Sequence, residues 1–293
     1  MKSYVISALT ACTLLWTACE SKKELYVAAD LCDSAYCRGI EGPYYYKGAV
    51  LAVGYQKDGT IGITTMDGKS SLFVNLPEGS IGNGIDLDPT GRLVVADYAG
   101  HNVLMIDTAT KKVSVYAHQD IIMNQPNDVC VHHKGYLYTS DPNWADSTGN
   151  LWMVNLEGKF VLLEDSMGTT NGVTLSPDDK TLYVNESIQR TLFAYDVAED
   201  GSVSNKRLIH TFPDHGMDGM KCDKAGNLYL TRYDGGCVIV FSPEGKIIRE
   251  IKLKGKKPTN IAFGGKEGKT AFVTMQDRGM IEYFEVEIPG KGW

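Results

Sequence analysis

The chain has 293 residues, 43% of them hydrophobic and 22% charged, enough apolar material for a large core and too much for a disordered chain. A formal net charge of -7 and a pI near 5.4 argue against a nucleic-acid partner, because phosphate binding needs a concentrated basic surface. The one basic run, Lys252 to Lys257, reads as a solvated strand edge and turn.

The N-terminus reads as a targeting segment: Lys2, an apolar stretch from Tyr4 to Trp16, then small residues leading to Cys19. That stretch is too short for a spanning helix. Thr17-Ala18-Cys19 resembles a bacterial lipobox, although Trp16 departs from the usual aliphatic residue. Leu9 to Cys12 fits the pattern better but leaves very little hydrophobic stretch. The expectation is a signal peptide over 1–18, lipidation at Cys19 and a short tether over 19–23, with ordinary cleavage and secretion as the alternative. The chain is then an exported bacterial lipoprotein, periplasmic or outer-membrane anchored, touching the membrane only through its lipid, and a monomer.

From residue 24 onward helical periodicity is absent, and short β-rich runs alternate with Gly, Asp, Asn and Pro turns. The first run is Glu24 to Ala28. Cys32 and Cys37 follow, close enough in an oxidising compartment to leave a local disulfide open. Cys130, Cys222 and Cys237 lie in apolar strand patterns and read as buried side chains. No cysteine or histidine spacing suits a structural zinc.

An internal repeat decides the architecture. NGIDLDPTGRLVVADYAGHNVLMID from Asn83 and NGVTLSPDDKTLYVNESIQRTLFAYD from Asn171 share one grammar of acceptor residue, strand, turn, strand, polar loop, strand. It recurs from Asn127 and Asp218, and more weakly from Glu41 and Asn260, at spacings of 42 to 47 residues. A period in the low forties with three or four strands per copy means a propeller blade, and six copies mean an all-β, six-bladed β-propeller over 24–293. The last copy lacks an outer strand, which Glu24 to Ala28 supplies, closing the ring.

The first strand of a blade lines the central channel, so Glu41, Asn83, Asn127, Asn171, Asp218 and Asn260 form a ring of side-chain oxygens at one end. Asn and Asp are also ordinary turn formers, but Glu41 is not. Two carboxylates among neutral amides, with no Cys or His, suit one hard divalent cation: Ca²⁺ first, then Mg²⁺ or Mn²⁺, with Zn²⁺ also compatible.

Glu41-Gly-Pro, Pro126-Asn-Asp128, Asn171-Gly and Asp218-Gly-Met220, in that order at blade spacing, resemble the senescence-marker-protein/gluconolactonase family with its regucalcin-like lactonases. The resemblance implies a metal-dependent lactonase acting on a small-molecule lactone, a sugar lactone or a related one. Its metal ligands would be Glu41, Asn171 and Asp218. Asn127 would be a further ligand, as in the squid diisopropylfluorophosphatase that shares the family's propeller, or a substrate contact, as in the regucalcin-like members. Asn83 and Asn260 would line the site. The regucalcin-like members carry Arg where this chain has Gln125, which puts the usual aldonolactone in question.

The mechanism expected is attack on the lactone carbonyl by a water that Asp218, or second Glu41, deprotonates; attack by Asp218 as a covalent nucleophile is the competing form. Asp128, next to Asn127 in a strand, should point away from the channel. Loops on the same face offer Tyr55, Tyr98, His101, Asn143, Trp144, Glu186, Arg232, Tyr233, Gln276 and Arg278, with Met123, Gln125 and His215 in the entering loops. Trp144 and Arg232 are the foremost substrate contacts. The stretch from Asp141 to Thr148 reads as a long aromatic loop, and His215 as a proton shuttle or a turn residue. Neither a nucleophile elbow, a P-loop nor a dinucleotide fingerprint is present. The alternatives are an organophosphate or phosphoester hydrolase on the same site, and a non-catalytic propeller that binds a glycan or protein around a structural ion.

Overall fold

The computed structural model describes residues 24–293, so the targeting segment and Cys19 lie outside the described residues. The described chain forms six four-stranded sheets. In each of the first five, consecutive strands pair antiparallel from the channel outward. Blade 1 runs Tyr36–Tyr46, Ala49–Tyr55, Thr60–Thr65, Ser70–Asn75, and blade 2 runs Gly82–Leu87, Leu93–Asp97, Asn102–Ile106, Val113–His118. Blade 3 is Val129–Val131, Leu137–Asn143, Thr148–Val154, Phe160–Met167; blade 4 is Thr170–Leu175, Thr181–Glu186, Thr191–Val197, Val203–Thr211. Blade 5 is Met220–Cys222, Leu228–Arg232, Cys237–Phe241, Ile247–Lys252.

Blade 6, Pro258–Gly264, Thr270–Met275 and Met280–Glu285, takes its outer strand from the start of the described chain. The pairing sits slightly later than the sequence suggests. The strand is Ala29–Asp30, opposite Tyr283 and Glu282, while Tyr26 N–H donates to Glu285 O. Asp30 fixes this closure by pairing with Arg278 at 2.8 Å and Lys254 at 3.2 Å. Arg278, expected at the site rim, is therefore a clasp of the ring.

The apolar residues pack between neighbouring blades, as expected of a propeller. Val94, Ala96, Val103 and Met105 of blade 2 meet Val129, Leu137 and Val154 of blade 3. Val50 and Ala52 of blade 1 meet Phe272 and Ile281 of blade 6 across the closure. Cys32 and Cys37 are free thiols, and the Cys37 thiol donates to Asp58 at 3.4 Å, so the local disulfide is not formed. Among the described residues no helix is long and apolar enough to cross a membrane.

Candidate active site

A bulge in each inner strand sets the site. Asn127 N–H donates to Ser140 O and Ser140 N–H to Asp128 O, so two residues of blade 3 oppose one of its neighbour. Asp218 and Gly219 face Thr231 in the same way. Register shifts at the same level give the doublets Asn83–Gly84, Asn171–Gly172 and Thr259–Asn260 in blades 2, 4 and 6. In blade 1 Glu41 stands between two register shifts. A bulge breaks the two-residue alternation of a strand and re-aims side chains.

Two expectations change as a result. Asp128 does not point away from the channel: its carboxylate accepts from Val129 N–H at 2.9 Å, from Val173 N–H of blade 4 at 3.1 Å, and from the Asn260 amide of blade 6 at 3.3 Å. Asn260 is not in the register of the other ring residues. Thr259 holds that position, and Asn260 lies in the second one, with its Oδ1 accepting Ile261 N–H at 2.8 Å. The second position is glycine in blades 2, 4 and 5, and only small residues fit there. A Cβ on Gly84 would lie 2.5 Å from Asp128 Oδ1, and one on Gly219 2.0 Å from Asn260. Asp128 and Asn260, from opposite blades, thus meet across the channel as a floor. Beneath it the buried Lys221 ammonium faces Asp128 and Asp86; burial opposes its charge, but the carboxylates outweigh this and raise its pKa.

Above the floor is a cup of about 510 Å³, lined by Glu41, Asn83, Asn127, Asn171 and Asp218 and walled by Arg38, Asp58, Tyr98, Trp144, Tyr233 and Gln276. Burial, then repulsion from Asp128, pushes the Glu41 carboxyl up to about 8. Burial, then Glu41 and Asp128, pushes Asp218 well above the carboxylate range. The Oδ1 atoms of Asn83, Asn127 and Asn171 are buried without a hydrogen-bond partner. Unmet buried acceptors are costly and need an explanation. Two crowded carboxyls and three unmet amide oxygens around one space fit a hard divalent cation.

The site is held from behind. The Asn185 amide donates to Asp218 O at 2.6 Å, a positioning role the sequence pattern does not mark. Asp97 and Asp141, fully buried in the second strands of blades 2 and 3, each tie an entering loop to the third strand. Asp97 accepts from Ser80 Oγ, Ile81 N–H, Gly100 N–H and Asn102, and Asp141 from Asn124 N–H, Asn150 and Trp152 Nε1.

Among the other expected contacts, Asn83, Tyr98, Trp144, Tyr233 and Gln276 line the cup. Arg232 does not: it lies 3.5 Å over the Phe212 ring and donates to the carbonyls of Asp214, His215 and Gly216. Glu186 accepts Gly168 N–H at 2.9 Å, and His215 is half exposed beside Asp214. Gln125 is held by its own backbone N–H on Asp141, and its Oε1 is buried and unpartnered. The stretch from Asp141 to Thr148 is half strand, with a tight turn over residues 144–147 in place of a long loop. Arg38, Asp58 and Ser187 line the cup without having been anticipated. Asp58-Gly59 reads as a plain turn, and Arg38 precedes the repeat unit.

Another cluster, His132, His133 and Asp179, lies away from the cup. His133 Nδ1 is 2.8 Å from Asp179, His132 Nδ1 accepts Lys134 N–H at 3.1 Å, and the Lys291 ammonium pairs with Asp179, so that carboxylate already has a cation.

A six-bladed propeller with a blind, oxygen-lined cup at one end of its channel is the class that fold and site define. The chain belongs to the SMP-30/Gluconolactonase/LRE-like family, which it matches over residues 41–277. It is 26% identical over 215 residues to a gluconolactonase of Zymomonas mobilis, covering 66% of this chain and 60% of that one. It is 28% identical over 151 residues to pentonolactonase XacC of Haloferax volcanii, covering 50% of this chain and 52% of that protein. The chain thus spans between half and two thirds of the length of these relatives. Among solved structures, a calcium-binding regucalcin from Agrobacterium tumefaciens superposes with a TM-score of 0.78 at 21% identity, covering 89% of this chain and 94% of that one. That likeness shows the fold.

Proposed function

We propose that the cup hydrolyses a lactone with the help of one divalent cation, Ca²⁺ before Mg²⁺, Mn²⁺ or Zn²⁺. The observation that carries this reading is the convergence of the Glu41 and Asp218 carboxyls with the unpartnered Oδ1 atoms of Asn127 and Asn171 in one cup. These four residues would hold the ion, with Asn83 beside them. Bound there, such an ion supplies a Lewis acid for the lactone carbonyl and lowers the pKa of water. The relatives named gluconolactonase and pentonolactonase support the choice of reaction.

The chain's own residues do the rest. Asn171 hydrogen-bonds the Asp218 carboxyl and Asn185 fixes the Asp218 backbone, so the carboxylate is oriented before substrate arrives. Asp218 takes a proton from the attacking water as its oxygen bonds to the carbonyl carbon. The ring C–O bond then breaks, and the same proton passes from Asp218 to the leaving alkoxide, giving a hydroxy acid. Binding the ion would displace the protons of Glu41 and Asp218 and leave Glu41 as a ligand, and the floor of Asp128 and Asn260 would shut the lower channel off from the reacting centre. We also infer export and lipidation at Cys19, on the pattern at Thr17-Ala18-Cys19.

The test is a lactone panel followed by proton release, comparing metal-loaded protein, chelator-treated protein and Asp218→Ala. Hydrolysis by the loaded protein alone is expected. Equal rates in chelator would sink the metal mechanism, and a fluorophosphate cleaved in preference to every lactone would move the chemistry to phosphorus.

A further inference from the structure

Two sides of the cup's rim differ in chemistry. The side formed by blades 1, 2, 5 and 6 presents Arg38, Asp58, Tyr98, Tyr233 and Gln276. On the side formed by blades 3 and 4 the cup is walled by Trp144 and Ser187, with no charged side chain. Trp144 is 39% exposed. Next to Ser187 in the same turn comes Ile188, 46% exposed. Single exposed apolar residues are ordinary, whereas an exposed indole in the wall of a binding cup offers a ligand an apolar platform.

This arc is fixed in place. Gln189 bridges the two turns, donating to Ser147 O at 2.8 Å and accepting Thr169 N–H at 2.8 Å. Two charges of the blade 4 turn have partners within the protein: Glu186 accepts Gly168 N–H and Arg190 donates to Pro213 O at 3.1 Å. The cup's volume of about 510 Å³ also exceeds what an unsubstituted lactone ring would fill.

We propose that the preferred substrate is a lactone bearing an apolar alkyl or aryl arm, which lies across Trp144 and Ile188 while the ring carbonyl enters the cup. Trp144 and Ile188 are then its specificity-determining residues. The assignment rests on the lactone-hydrolase reading, and departs from the polyhydroxylated rings that the names of the relatives suggest.

Binding of non-hydrolysable δ-lactams to the metal-loaded protein tests the arm separately from the chemistry. Calorimetry should show a pentyl-substituted δ-lactam binding about 10-fold tighter than the unsubstituted ring, and tighter than a trihydroxylated one. Trp144→Ala and Ile188→Ser should each cut that preference to about 3-fold or less, while Trp144→Phe should retain most of it. Equal binding of the three lactams, tighter binding of the hydroxylated one, or an alkyl preference untouched by both substitutions would each overturn the assignment. If the alkyl preference holds but alkyl δ-lactones are not hydrolysed, the rim assignment stands as a ligand specificity and the hydrolase reading falls.

Discussion

Replacing Gly172 with alanine would strike the site without touching a ligand side chain. An added Cβ would lie 2.4 Å from Asp218 O and 2.6 Å from Asn185 Nδ2, against the 3.4 Å or more of ordinary contact. The nearer atom belongs to the backbone of the next blade and cannot rotate away, so the inner strands of blades 4 and 5 must part by about 1 Å. Overpacking of this kind costs about 1–3 kcal/mol, or a fall in Tm of roughly 3–10 °C for a domain of this size. Because the displaced residues are neighbours of Asn171 and Asp218, Ca²⁺ affinity should fall about 10-fold or more. Gly216→Ala is the control, since its Cβ would make only an ordinary 3.4 Å contact with Ser187 Oγ. Thermal unfolding in chelator and in Ca²⁺, together with calorimetric titration, reads both effects. Wild-type stability and Ca²⁺ affinity in Gly172→Ala would refute the packing argument.

Glu41→Gln and Asn171→Ala should each weaken Ca²⁺ binding, about 100-fold and about 10-fold, measured by titration calorimetry. In metal-free protein, Glu41 and Asp218 keep their protons above the ordinary carboxylate range. Below that range folded and unfolded states are both protonated; above it only the unfolded chain ionises, so stability falls as pH rises, until Glu41 ionises in the native state near 8. Urea unfolding in chelator from pH 5 to 8 should show this decline, and saturating Ca²⁺ should flatten it. Asp141→Ala leaves the Trp152 indole, the Asn150 amide and the Asn124 and Gln125 backbone N–H groups without their acceptor and should cost about 3–5 kcal/mol in a denaturant titration. Arg232→Met should lower stability by about 2–4 kcal/mol through lost bonds to three loop carbonyls, while changing KM for an alkyl lactone less than about threefold.

The blades were legible because each repeats a polar start, alternating strands and Asp- or Gly-bearing turns, which one copy after another makes visible. The level of the ring residues was legible for the same reason at Asn83, Asn127, Asn171 and Asp218. It slipped by one at Asn260 because the pattern follows residue type, and blade 6 places threonine where the others place an acid or amide. Asp128 was misplaced because strand alternation assumes an unbroken ladder, and a bulge adds a residue without leaving any local mark in composition. Arg232 and Glu186 looked like pocket groups because loop charges near a cup invite that reading. Backbone carbonyls and N–H groups claim them instead, and sequence carries no sign of such partners. Ring closure was readable from what the last copy lacked, while its register, two residues at Ala29–Asp30, depends on Asp30 meeting Arg278 and Lys254.

The floor of Asp128 and Asn260 also bears on traffic. A channel blocked at mid-depth is a vessel with one doorway. On the proposed reading, the arriving lactone and the departing hydroxy acid would share it in turn. The acid's new carboxylate would suit the same cation, so inhibition by product is the kinetic signature expected of this shape.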